Sequence, residues 1–106
     1  MLIYNSTKEF IGIDEHDLKI FGFSNLSQLR SEAADFADLF VRTPGYVHNF
    51  KHVHWIDFVS YAESAEESKV IISIKSKSYT ASLSITKAYL TDNPVRYALV
   101  ILKLAV

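Results

Sequence analysis

The feature that most constrains the fold is a strict alternation of apolar and hydroxyl-bearing residues between positions 79 and 86. The apolar set is Tyr79, Ala81, Leu83 and Ile85, and the polar set is Thr80, Ser82, Ser84 and Thr86. Successive side chains of a β-strand point to opposite faces of the sheet. The alternation therefore predicts an antiparallel strand with one face against a core and the other in water. Val70, Ile72 and Ile74 have the same period and predict the preceding strand.

The first third of the chain predicts a hairpin followed by short helices. Two apolar arms around a polar centre predict a hairpin over residues 2–13. Asp14 is a typical helix N-cap and Gly22 a typical helix end, so a helix is predicted between them. A second short helix is predicted through Leu29.

Two further helical segments are predicted from apolar residues that recur at three- and four-residue spacing. The first runs from Glu32 to Val41 and carries Ala33, Phe36, Ala37 and Phe40 on one face. The second carries Trp55, Phe58, Val59 and Ala62. Residues 46–54 lie between them and fit neither the helical nor the strand period.

The last predicted strand, Tyr97 to Leu104, is apolar on both faces. The element order is then two strands, three or four short helices and three strands. This order predicts one α+β domain over residues 1–106, with a five-stranded antiparallel sheet and short helices packed on one face. The outer face of the last strand needs a cover, and a homodimer formed through Val100, Leu102 and Leu104 would supply it.

The stretch from Ile13 to Leu29, with Asp14, the Gly22-Phe23-Ser24 triplet and Leu26, resembles the PAS family of sensory domains. The resemblance covers essentially the whole chain, because the order of strands and helices matches as well. It implies a PAS-like fold whose helices and inner sheet face enclose a cavity for haem, flavin, a small metabolite or nothing.

The resemblance also implies a function. Such a domain acts as a sensory or dimerisation module of a bacterial two-component type protein in the cytoplasm. It relays a signal to a C-terminal histidine kinase, phosphotransfer domain or cyclic-di-nucleotide enzyme. On this interpretation the chain is the N-terminal fragment of a longer signalling protein. The chain has no cysteine, which excludes the covalent cysteinyl-flavin and coumarate chromophores of the family, and no cofactor is required by the sequence.

Charge and hydropathy exclude other classes of partner. The formal net charge is −1, and the basic residues are scattered along the chain. Nucleic-acid binders concentrate positive charge on one face, so no nucleic acid is expected as a partner. The longest apolar run is far shorter than the roughly 20 residues that a membrane-spanning helix needs, so no membrane partner is expected either.

Three of the four histidines, His48, His52 and His54, fall within seven residues of one another. In a helix His48 and His52 would share a face, whereas in an extended segment His52 and His54 would share one. A metal or haem site is one interpretation. The alternative is that these are ordinary polar positions around a helix start.

An aromatic cluster is the second candidate site. Phe36, Phe40, Tyr46, Phe50, Trp55 and Phe58 could line a pocket for a flat ligand, or they could simply fill the core. The chain is not expected to be an enzyme, since it has no nucleophile elbow and no glycine-rich phosphate loop. The alternative that stays open is a small ligand-binding α+β cone enzyme or isomerase that uses His54 and Asp57.

Overall fold

The computed structural model describes residues 1–89 and 98–105, and for residues 65, 66, 88, 89 and 98–105 it describes the backbone alone. Its strands are β1 (Leu2–Tyr4), β2 (Phe10–Ile13), β3 (Lys69–Ile74), β4 (Lys77–Tyr89) and β5 (Ala98–Ala105). They are hydrogen-bonded in the order β2-β1-β5-β4-β3, and each neighbouring pair is antiparallel. The last strand in the sequence therefore lies at the centre of the sheet.

Short helices connect the two strand regions. Among the described residues the α-helices are α1 (Glu15–Ile20), α2 (Leu26–Glu32) and α3 (Trp55–Ser60). Two single-turn 3₁₀ helices cover Phe36–Leu39 and Ala65–Ser68. In this part of the chain no helix is long and apolar enough to cross a membrane.

The prediction of the α+β class is confirmed. The prediction of a PAS-like five-stranded sheet covered by helices is wrong for the side chains that the structure describes. The described side chains of the sheet belong to two separate two-stranded hairpins, β1–β2 and β3–β4, four strands in all. These hairpins do not pair with each other, and only the backbone of β5 joins them. The three α-helices of the described residues are short, as predicted, with six or seven residues each.

The predicted helix from Glu32 to Val41 is wrong. Ala33 and Asp35 both have extended backbone conformations, and the Asp35 carboxylate accepts a hydrogen bond from the Ala37 N–H. This cap starts a new 3₁₀ turn, so α2 cannot continue. The apolar stripe nevertheless marked buried positions correctly, because Ala33, Phe36, Ala37 and Phe40 are all buried.

The alternation that predicted β3 and β4 is confirmed by burial. Val70, Ile72 and Ile74 of β3 and Ala81 and Leu83 of β4 are buried in the core. The turn between the two strands lies at Lys75 and Ser76. Both residues have positive φ, 49° and 67°, as a two-residue hairpin turn of type I′ requires.

The centre of the core is a group of three aromatic rings from three different elements. Trp55 of α3 packs edge-on against Tyr4 of β1 and against Phe40, with ring centroids 5.2 and 5.0 Å apart. Tyr4 is fully buried, and its hydroxyl donates a hydrogen bond to Asp35. Burial, followed by the hydrogen bond and negative charge of Asp35, raises the pKa of Tyr4 far above its usual range. The hydroxyl therefore stays protonated and remains a donor.

Helix α1 begins and ends as the sequence predicts. The Asp14 side chain accepts a hydrogen bond from the Asp17 N–H at the start. At the end, the Phe23 N–H donates to the Leu18 carbonyl and the Gly22 N–H donates to the Lys19 carbonyl, which is the Schellman arrangement. Gly22 has a φ of 82°, a conformation that is costly for residues with a Cβ atom.

We expect Gly22→Ala to lower the free energy of unfolding by about 1 kcal/mol, because alanine must adopt the left-handed conformation at this helix end. Urea unfolding followed by circular dichroism measures the change. Gly12→Ala is the matched control. A Cβ atom at Gly12 would meet only Ile3 Cδ1, at 4.0 Å, which is ordinary contact. Equal destabilisation by the two variants would contradict this account of Gly22.

Candidate functional site

The segment from residue 41 to residue 54, which includes the unassigned residues 46–54, is an irregular loop held against the protein at several points. The Val41 N–H donates to the Ile71 carbonyl at 2.8 Å, and the Val47 N–H donates to the Lys69 carbonyl at 2.7 Å. Asn49 Nδ2 donates to the Ala37 carbonyl at 2.9 Å. The loop therefore follows the outer edge of β3 and has fixed anchor points.

The three clustered histidines have separate surroundings in this loop. His48 is half-buried, and its ring lies 4.3 Å from that of Phe50. His52 is exposed, whereas His54 is the N-cap of α3. Within residues 1–89 and 98–105, no group of three or more His, Cys, Asp or Glu side chains is arranged to hold a metal ion. The metal site that the three histidines suggested has no geometric support in this part of the chain, and haem ligation by one of them stays a prediction.

His54 has a structural role at the start of α3. Its Nδ1 atom accepts a hydrogen bond from the Ile56 N–H at 3.1 Å, which assigns the hydrogen of the neutral ring to Nε2. Asp57, the other residue of the suggested catalytic pair, forms an ion pair with Lys8 at 2.8 Å. Each member of the pair is thus bound to a different partner, and the isomerase alternative gains no support from their geometry.

The six residues predicted to line an aromatic pocket divide into two groups. Phe36, Phe40 and Trp55 are buried and pack in the core. Tyr46, Phe50 and Phe58 instead line an open surface groove of about 370 Å³, together with Thr43, Pro44, Gly45, His48 and Glu67. We call this the aromatic groove. The Phe50 and Phe58 ring centroids are 4.9 Å apart, so the loop and α3 meet at its wall.

A second groove of about 330 Å³ adjoins the first. We call it the basic groove, and it is lined by Arg42, His48, Asn49, Phe50, Lys51, His52 and Val53. His48 and Phe50 belong to both grooves. Sequence analysis did not single out Arg42 and Lys51, because nine positions separate them and only the path of the loop brings them to one groove.

Trp55 has an unusual polar feature inside the core. Its Nε1 atom is buried and has no hydrogen-bond partner among the described residues. Buried donors are nearly always paired, so this one is a point where a polar atom of a water molecule or a ligand would be stabilised.

The side chains of the predicted dimer face, Val100, Leu102 and Leu104, lie outside the described residues, so that face stays a prediction. The backbone register sets Leu102 opposite Leu2 and Ile85, Val100 opposite Tyr4, and Leu104 opposite Leu83. Leu2, Tyr4 and Leu83 are buried against the helices. Directly opposed residues of an antiparallel pair share a face of the sheet. The register therefore favours the other face for contact with a second copy.

No family model, no curated protein and no solved structure matches this chain.

We expect His54→Ala to lower the free energy of unfolding by about 1 kcal/mol at neutral pH, because α3 loses the acceptor for its Ile56 N–H. His54→Asn is the matched control, since an asparagine at the N-cap supplies a side-chain oxygen in the same role. Chemical unfolding of the three proteins measures the difference. Equal losses in the two variants would show that the cap hydrogen bond is not what His54 contributes.

The same variants also test a pH effect. Burial, followed by the positive charge of Lys8, holds the pKa of His54 below its ordinary value of 6.5, although Asp57 and Asp35 oppose this. The folded protein thus favours the neutral ring. The contribution of His54 is complete above the unfolded pKa and is lost as the pH falls through it towards the folded value. We expect wild type to lose more stability than His54→Asn between about pH 7.5 and pH 5.5.

Proposed function

We propose that this chain is a non-catalytic sensory or dimerisation module of a bacterial two-component type signalling protein, and that it works in the cytoplasm. Its state passes to an output domain that follows β5, namely a histidine kinase, a phosphotransfer domain or a cyclic-di-nucleotide enzyme. The observation that carries the proposal is the central place of β5, which is hydrogen-bonded to both β1 and β4. A displacement of either hairpin would therefore act on the strand that leads out of the described structure.

A connected series of contacts supports a relay from the aromatic groove to β5. Phe50 in the loop contacts Phe58 of α3, and Trp55 of the same helix packs against Tyr4. Tyr4 belongs to β1, where it lies opposite Val100 of β5. Packed side chains on short rigid elements are the physical means by which two sites become coupled, and a coupling measurement is the proper test.

The aromatic groove supports the sensory half of the proposal. Its volume of about 370 Å³ is in the range typical of small-molecule sites, roughly 300–1,000 Å³. It opens directly beside the loop that leads into α3. A ligand bound in the groove against Phe50 and Phe58 would contact both the loop and α3.

The net charge agrees with the classes of partner that the proposal leaves out. A formal charge of −1 and the scatter of basic residues favour neither nucleic acid nor an anionic membrane surface as a partner. The proposed partners are a second copy of the chain, the output domain and a small ligand.

We expect Phe58→Glu to change the hydrogen-exchange rates of the β5 amides several-fold, because it alters the wall of the aromatic groove at the start of the contact path. Ile20→Glu is the matched control, since Ile20 is exposed to nearly the same extent, 39% against 38% for Phe58, but lies on α1. Native-state exchange followed by mass spectrometry measures the rates. If both variants change β5 equally, or neither does, the relay is contradicted.

We expect the chain to be a dimer in solution that uses the uncovered face of the sheet. Ile3 and Ile71 are half-buried there, and Ile3 lies opposite Ile101 in the register. Ile3→Glu should convert the dimer to a monomer with an unchanged circular dichroism spectrum, whereas Ser27→Glu, at an exposed position of helix α2, should not. Light scattering after gel filtration measures the mass. A monomeric wild type would remove the dimerisation half of the proposal.

A further inference from the structure

The basic groove brings together two cations that form no ion pair in the described part of the chain. Lys77 and Lys87 also form none there, but they line neither groove. Some basic side chains elsewhere in the described structure do have a partner. Lys8 pairs with Asp57 and Lys19 with Glu15, while Arg30 donates to the Phe10 carbonyl. Arg42 and Lys51, by contrast, form no ion pair within the described residues, and both are exposed in the same groove.

No carboxylate lines this groove. The side chains that can carry a positive charge there are Arg42, Lys51, His48 and His52, and the neutral polar ones come from Asn49 alone. Unpaired cations that line one groove attract an anion, and a guanidinium group binds a phosphate or carboxylate through two parallel hydrogen bonds. The electrostatics of the groove therefore select a negatively charged ligand.

One side of the basic groove is aromatic. The His48 and Phe50 rings, whose centroids are 4.3 Å apart, line it and continue through Phe50 to Phe58 in the aromatic groove. Offset or edge-on ring contacts are worth about 0.5–1.5 kcal/mol beyond the area that they bury. A flat ring on the ligand would gain this contact while its anionic group remained near Arg42 and Lys51.

The loop that carries these side chains is held in place before any ligand binds. Val47 is fully buried, and its backbone N–H is bonded to β3, while Asn49 is bonded to the Ala37 carbonyl. The two anchors bracket His48 and lie between Arg42 and Lys51 in the sequence. A preorganised site loses less conformational entropy when it binds a ligand.

We propose that the basic groove binds a small, flat organic anion, an aryl phosphate or aryl carboxylate, with the anionic group held by Arg42 and Lys51 and the ring against His48 and Phe50. A volume of about 330 Å³ suits such a molecule and lies at the lower end of the range for ligand sites, roughly 300–1,000 Å³. The inference needs only the groove. It holds whether or not the chain relays a signal.

Phenyl phosphate is the probe that tests this, titrated into the ¹⁵N-labelled chain at low salt. We expect saturable binding with a Kd of about 1 mM or tighter, and amide shifts confined to the residues of the two grooves. Inorganic phosphate has the charge without the ring, and benzyl alcohol has the ring without the charge. Each should bind about tenfold more weakly than phenyl phosphate. Equal binding of phenyl phosphate and inorganic phosphate would overturn the assignment of the ring site.

Two double variants distinguish specific binding in the groove from non-specific attraction of an anion to positive charge. Arg42→Gln/Lys51→Gln should weaken phenyl phosphate binding about tenfold or more. Lys77→Gln/Lys87→Gln removes the same charge from exposed positions of β4 and should leave the Kd within about twofold. Equal weakening by both pairs would overturn the proposal.

An acidic peptide is the competing occupant. If a short glutamate peptide bound to the groove more tightly than phenyl phosphate, the small-anion assignment would be overturned in favour of a protein partner. Binding of phenyl phosphate by a chain that is monomeric, and whose β5 exchange does not respond to Phe58→Glu, would keep this inference and reject the proposed function.

Discussion

Tyr4 is completely buried, and its hydroxyl group would cost the fold about 1–3 kcal/mol if it had no hydrogen-bond partner. Asp35 supplies that partner, and the same carboxylate accepts the Ala37 N–H at the start of a 3₁₀ turn. One side chain therefore joins the first strand to the helical layer. The ring of Tyr4 then gives Trp55 a surface to pack against, which fixes α3 and, through it, the end of the loop that forms both grooves.

Local signals in the sequence predicted local structure well. Asp14 and Gly22 bound α1 because capping depends on a few neighbouring atoms, and the alternation in β4 specifies a face because its period is two. The segment around Phe36 shows the limit of this reasoning. Its apolar spacing predicted the buried positions correctly but wrongly predicted a helix. The Asp35 carboxylate that caps the 3₁₀ turn is also bound to Tyr4, a residue of a distant strand.

The candidate site was less predictable for the same reason. His48, His52 and His54 are close in sequence, but an irregular loop and a helix cap give each of them a different environment. Arg42 and Lys51 are nine positions apart, and they line one groove because the loop is bound to β3 and to the Ala37 carbonyl. The bonds to β3 join backbone groups only, so composition and periodicity contain no sign of them.

The position of β5 also has a consequence for synthesis on the ribosome. Strand β1 pairs with β5, whose residues are nearly the last of the described chain to be made. Contacts this distant in sequence form slowly. Until residues 98–105 emerge, the first hairpin and the β3–β4 hairpin each expose an unpaired edge, which is a template for aggregation. A nascent chain would thus remain vulnerable until β5 has been made, and a chaperone that shields strand edges would improve the yield of folded protein.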